Sequence, residues 1–168
     1  MSLSFAILTV SDRSFAGQRE DRSGPALARA VAERGWAVVE TDLVPDDIEA
    51  IRSALLAWSR RPDIAVILTT GGTGFGPRDV TPEATRQVIQ REAPGLAEAM
   101  RAASLRITPH AMLSRAVAGI RGRTLIVNLP GSPKAAVENF AVIAPVLPHA
   151  VQLLRGGAAA EQGHRTAA

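Results

Sequence analysis

The sequence predicts an α/β protein of three layers, with a mostly parallel sheet between helices. Three observations carry that prediction. Short apolar runs alternate with segments of helical spacing through the first half of the chain, a pattern that means parallel strands joined by crossover helices. The 168 residues are 46% apolar and 21% charged, enough for one sizeable core. Polar clusters of unusual composition follow the apolar runs, where ligands bind in such sheets.

The elements follow in order. Phe5 to Val10 reads as a buried strand, closed by Ser11-Asp12-Arg13, and a polar loop runs to Ser23. Pro25 suits the start of a helix whose face holds Leu27, Ala30 and Val31, and Gly35 stops it. Trp36 to Thr41 is a second strand, ending in Leu43-Val44-Pro45-Asp46-Asp47. Ile48, Ile51, Leu55 and Trp58 recur at helical spacing, Pro62 breaks, and Ile64 to Leu68 is a third strand. Thr81 is expected to cap the next helix, with Pro82 at its first position and Glu83 favourable to its dipole. That helix should run to about Glu92, and Leu96 to Leu105 should form another. Arg106 to Arg123 has no clear period. Thr124 to Asn128 is a further strand, and the apolar segment Ala135 to Leu154 should kink at Pro145 and Pro148. Residues 1–155 are expected to form a single domain, and residues 156–168 a disordered tail.

The densest chemical signal is Thr69 to Thr85, TTGGTGFGPRDVTPEAT. Gly71, Gly72, Gly74 and Gly76 follow the third strand, then Arg78 and Asp79, then a helix start. Glycines let a backbone approach a ligand and present N–H groups to it, and a helix start adds positive potential. The pattern suits a phosphorylated small molecule. It is neither a Walker A loop nor GxGxxG in register, because Pro77 and Arg78 stand where those motifs need other residues. A carboxylate beside phosphates calls for a cation, so Asp79 reads as a Mg²⁺ ligand with Asp46 as the second. Asp46 has an alternative reading as a helix cap, a role that Asp47 can also fill. Arg78 can clamp a phosphate through its planar fork, and Lys134, after Pro130-Gly131-Ser132-Pro133, stands at an anion-favouring helix start. On parallel strands all four polar loops would converge on one edge.

Other function classes are excluded. There is no cysteine, so disulfides, thiolate metal sites and cysteine nucleophiles are absent. The net charge is only +3, with no Lys/Arg run, no tyrosine, four Phe and two Trp, which argues against a nucleic-acid partner. The N-terminal segment turns polar too soon for a signal peptide, and no apolar stretch is expected to span a membrane, so a cytoplasmic location is expected. His110, His149 and His164 lack metal-ligand spacing.

TTGGTGFGPRDVTPEAT, with VSDRSFAGQREDRSGPAL, LVPDD, REAPGLAEAMR, LSRAVAGIRGRTLIVNLPGSPKA and PHAVQLLRG in the same order, resembles the molybdopterin-binding MogA/MoaB-like family, which includes the G domain of gephyrin. The resemblance implies Mg²⁺-dependent transfer of AMP from ATP to molybdopterin, giving adenylyl-molybdopterin and pyrophosphate for molybdenum insertion. It implies catalytic and metal roles for Asp46 and Asp79, with Arg78 beside them. It implies nucleotide contacts from Ser11, Asp12, Gly71, Gly72, Thr73 and Gly74. It implies molybdopterin contacts from Ser114, Arg115, Pro130, Gly131, Ser132 and Lys134. Trimers or hexamers are implied, with the segment Phe140 to Leu154 as one interface candidate and a downstream molybdenum-insertion protein as partner. The chain's length is nearer to MoaB-type members, so the alternative is a molybdopterin-binding carrier or regulator. Retention of Asp46 and Asp79 favours the transferase.

Overall fold

The computed structural model describes residues 2–156. The expected tail at 157–168, with His164, lies outside the described residues, and Gly156 ends a helix. Among the described residues six strands form one sheet: β1 Ser4–Val10, β2 Ala37–Val44, β3 Val66–Thr70, β4 Arg91–Glu92, β5 Ala118–Arg121 and β6 Thr124–Leu129. Their order is β2-β1-β3-β6-β5-β4. The first four in that order pair in parallel, whereas β5 runs antiparallel to both β6 and β4. The expected sheet is therefore present, with an antiparallel edge added. β5 and β6 join through the tight turn at Gly122, whose φ of 56° suits glycine.

Seven α-helices among the described residues accompany the strands: α1 Asp12–Phe15, α2 Ser23–Ala32, α3 Ile48–Ser59, α4 Thr81–Arg86, α5 Pro94–Leu105, α6 Pro133–Ile143 and α7 Leu147–Gly156. The strands read as continuous apolar runs because both sheet faces are covered. Alternate residues of β1 serve opposite cores. Phe5 and Ile7 pack with Leu27, Met100, Phe140 and Val151 from α2, α5, α6 and α7. Ala6, Leu8 and Val10 pack with Ile51, Leu55 and Ala84 from α3 and α4. The period-2 side-chain alternation of a strand produces this division.

Several sequence expectations need correction. α4 ends at Arg86, not near Glu92, and Arg91–Glu92 are the edge strand β4. Part of the stretch with no clear period is the short helical turn Pro109–Leu113, and part is β5. The loop after β1 contains α1. Pro145 lies in a 3₁₀ turn, Ala144–Val146, between α6 and α7, and helical structure continues through it. The run Pro133–Gly156 is thus 24 residues long and apolar enough, by length and composition, to cross a membrane, contrary to expectation. Its Ala136, Phe140, Ile143, Ala144, Leu147 and Val151 are core residues of the domain. Val142, Val146 and Leu153 on the same run are exposed.

Candidate functional site

Parallel strands leave their carboxyl ends together, so the loops after β1, β2, β3 and β6 meet at one edge. A cleft of about 850 Å³ opens there. Ser11, Asp12, Asp46, Gly71, Gly72, Asp79, Gly131 and Ser132 line it, one or more from each of the four polar loops. The convergence expected from the strand pattern is therefore present. Arg13 of the first polar loop also lines the cleft, as do two cations that sequence reasoning passed over, Arg19 and Arg22. Their only sequence signal was a polar loop following a strand.

The glycine loop is shaped by close approaches. Gly71 has φ 103° and Gly72 φ 68°, conformations that side chains rarely adopt. A Cβ on Gly71 would collide with the Val10 carbonyl oxygen, and one on Gly72 with the Thr81 hydroxyl. The Gly71 N–H donates to the Leu129 carbonyl at 3.2 Å, so it is not available to a phosphate. The Gly76 N–H donates to Asp79 Oδ2 at 2.8 Å. The amides of Gly72, Thr73 and Gly74 are unengaged among the described residues.

A buried polar network supports this loop from beneath. Thr81 does not cap α4. The residue before the helix is Val80, which makes no side-chain cap. The Thr81 hydroxyl instead donates to the Gly71 carbonyl at 2.9 Å. Thr85 donates to the Thr81 carbonyl at 2.8 Å. The Asn128 amide of β6 donates to the hydroxyls of Thr69 and Thr85, both at 2.9 Å, and accepts from the Val117 N–H at 3.2 Å. Burial strengthens such bonds and penalises any unpaired member. No local pattern announced Asn128, because its partners are far away in the chain.

The carboxylates are arranged differently. Asp47 caps α3, accepting from the Ala50 N–H at 2.9 Å, which leaves Asp46 free of that duty. Asp46 Oδ2 accepts from the Asp12 N–H at 2.8 Å, and Asp12 Oδ1 accepts from the Asp46 N–H at 2.9 Å. Burial pushes the Asp46 carboxyl above its ordinary value, and the charges of Asp12 and Asp79 add to that. Hydrogen bonding from Arg78 holds Asp12 below its ordinary value. Arg78 is paired with Asp12, Nε to Oδ2 at 2.9 Å and Nη2 to Oδ1 at 3.1 Å, and it does not line the cleft. Among the described residues there is no group of three or more His or acidic side chains that could hold a metal ion. Two carboxylates of hard oxygen donors suit Mg²⁺, which keeps waters and takes its other ligands from phosphates.

The residues tied by resemblance to molybdopterin divide into three groups. Gly131 and Ser132 line the large cleft, and the Ser132 hydroxyl also caps α6 by accepting from the Ala135 N–H at 3.1 Å. Ser114 and Pro130, with Thr73 and Gly74, line a second cavity of about 280 Å³ whose walls include Ile107, His110, Leu113 and Asn139. Lys134 and Arg115 line neither. Lys134 is exposed and stands 3.8 Å from Glu138. Arg115 is bonded to the glycine loop and to Glu83. The two cavities share the glycine loop as a wall, with Gly71 and Gly72 on one side and Thr73 and Gly74 on the other.

Comparison with known proteins agrees with this architecture. Residues 6–149 match the family model described as a probable molybdopterin binding domain. The molybdenum cofactor synthesis protein cinnamon of Drosophila melanogaster is 47% identical over 154 residues, which are 91% of this chain, although the chain spans only 26% of that protein's length. A molybdopterin adenylyltransferase of Helicobacter pylori strain J99 is 39% identical over 157 residues, covering 92% of this chain and 89% of the relative. The crystal structure of the molybdopterin biosynthesis enzyme MoaB from Thermus thermophilus superposes with a TM-score of 0.86 at 52% identity, covering 92% of this chain and 97% of that one. With its parallel sheet, its four converging loops and a family match over most of its length, the chain belongs to the molybdopterin-binding domain family.

Proposed function

We propose that this protein is a molybdopterin adenylyltransferase of molybdenum cofactor biosynthesis. It transfers AMP from ATP to the terminal phosphate of molybdopterin. A phosphate oxygen of molybdopterin bonds to the α-phosphorus of ATP, the α–β bridging bond breaks, and pyrophosphate leaves. The observation that carries the reading is the glycine loop shared between two cavities, one large and charged, the other small and partly apolar. Relatives of matching length named molybdopterin adenylyltransferase support it.

The geometry supports the following roles. ATP occupies the large cleft, where Arg13, Arg19 and Arg22 offset its phosphate charge and the free Gly72 amide is offered to its oxygens. The pterin occupies the second cavity, against Ser114 and Pro130. The attacking group is a phosphate of low pKa, so no strong general base is required. The task is to bring two anions together and to hold them in line. Asp46 and Asp79 would hold Mg²⁺, which when bound neutralises phosphate charge. Arg78 leaves Asp12 to contact a phosphate, an exchange of one exposed charged partner for another.

A single domain, a cytoplasmic location and a homotrimer or paired trimers complete the reading. Exposed Ile107 and Met112 near the second cavity, and Val142, Val146 and Leu153 on the long helical run, supply apolar surface for assembly. The functional test is incubation with Mg²⁺, ATP and molybdopterin, followed by mass detection of adenylyl-molybdopterin. Tight pterin binding with no product would favour the carrier instead.

A further inference from the structure

We infer that Arg115 is a positioning residue that braces the loop bearing Asp79, with Glu83 as its orienting partner, and that it does not contact molybdopterin. This deepens the adenylyl-transfer reading and rests on it. The geometry is specific. The Arg115 N–H donates to the Thr73 carbonyl at 2.9 Å. Its Nε donates to the Gly74 carbonyl and one Nη to the Asp79 carbonyl, both at 2.7 Å. The other Nη is bonded to Glu83, in the first turn of α4. One guanidinium thus pins both ends of the segment 74–79, which contains two glycines and would otherwise be loosely held.

The consequence falls on Asp79. Its carboxylate is closed onto the Gly76 N–H inside the pinned segment, and it lines the large cleft. Arg115 lines neither of the two cavities that share the glycine loop; it lines a third, with Arg86, Glu92 and Pro94, which adjoins the second through Arg101 and Ser114. Its own segment is anchored in turn. Arg101 of α5 donates to the carbonyls of Ser114 at 3.3 Å and Ala116 at 2.9 Å. A chain of two arginines therefore runs from α5 to the carboxylate loop. A lysine could keep the charge at 115, but it lacks the planar fork that reaches three acceptors at once.

The test compares wild type with Arg115→Lys, Glu83→Gln and the double variant. Amide hydrogen exchange of residues 74–79 is followed by mass spectrometry, and kcat and both KM values are measured. Arg115→Lys should speed exchange in that segment about tenfold or more and lower kcat by about 10- to 100-fold, with each KM within about threefold of wild type. Glu83→Gln should act in the same direction but less strongly, and it serves alone if Arg115→Lys does not fold. The double variant should be no worse than Arg115→Lys, because both residues form one brace. A rise in the molybdopterin KM alone, with kcat and exchange unchanged, would show that the guanidinium contacts substrate and would overturn the inference. Unchanged exchange would overturn it as well. If the wild type makes no product, the adenylyl-transfer reading fails, and the exchange comparison still decides the brace.

Discussion

The glycine loop and the Asp12–Asp46 corner line one cleft and meet at Gly72 and Asp46, yet they are held by opposite means. The glycine loop is fixed by buried hydroxyls, the Asn128 amide and a guanidinium bonded to main-chain carbonyls. The corner is held by two reciprocal backbone-to-carboxylate bonds and by an exposed Arg78–Asp12 pair. Exposed pairs contribute little to stability and are readily exchanged for other partners. Buried networks contribute much, and only when complete. One wall of the cleft is thus preorganised, and the other is free to rearrange around an arriving anion.

The largest effect on the preorganised wall is expected at Asn128. Asn128→Ala would leave the Thr69 hydroxyl and the Val117 N–H without a partner and would take one of two bonds from the Thr85 hydroxyl, which still donates to the Thr81 carbonyl. The expected loss is about 2–3 kcal/mol in a urea titration, with the Asp12–Asp46 corner unaffected. A loss no larger than that of a surface change would mean the wall is not held from beneath.

Asp46→Asn should have a smaller effect of the opposite sign. The folded protein raises the Asp46 carboxyl above its ordinary 3.8. Its protonated form therefore contributes stability that is present below 3.8 and is lost as pH rises through the folded value. Asparagine removes the penalised charge while keeping an acceptor for the Asp12 N–H. The variant should melt slightly higher than wild type near pH 7, and the gain should vanish below about pH 4, while transfer activity falls. A lower melting point at pH 7 would show that the carboxylate is a structural anchor. Arg78→Ala should have the least effect on stability. Its melting midpoint should barely move, while ATP affinity measured by calorimetry falls several-fold. A large thermal loss with full affinity would place Arg78 among the bracing residues.

The fold was legible where local pattern and final environment agree. The apolar run at Phe5 to Val10 read correctly as a strand, and the run at Ile64 to Leu68 as one that the structure shifts to Val66–Thr70, because both sheet faces are covered. β4 and β5 were not legible, because each is short and β4 is exposed on both its residues. On the site, the four loops could be read from the sequence because glycines and carboxylates at strand ends have few other uses. Thr81 misled because a threonine before Pro82 fits a cap equally well, and only the folded loop places the Gly71 carbonyl within its reach. Arg115 and Asn128 were hidden for a related reason. The side-chain partners of Arg115 lie 32 or more residues away, and the two hydroxyls bonded by Asn128 lie 59 and 43 residues away, beyond any local window.

We propose that adenylyl transfer occurs in the cleft and depends on the Asp79 carboxylate held by the preorganised wall. The most direct measurement is product formation from Mg²⁺, ATP and molybdopterin by wild type and Asp79→Asn, with molybdopterin affinity determined in parallel. Asparagine retains an acceptor for the Gly76 N–H, so the loop should keep its shape. The account predicts a loss of about 100-fold or more in rate, pterin affinity within about threefold of wild type, and an unchanged melting point. Turnover by Asp79→Asn at near wild-type rate would contradict it.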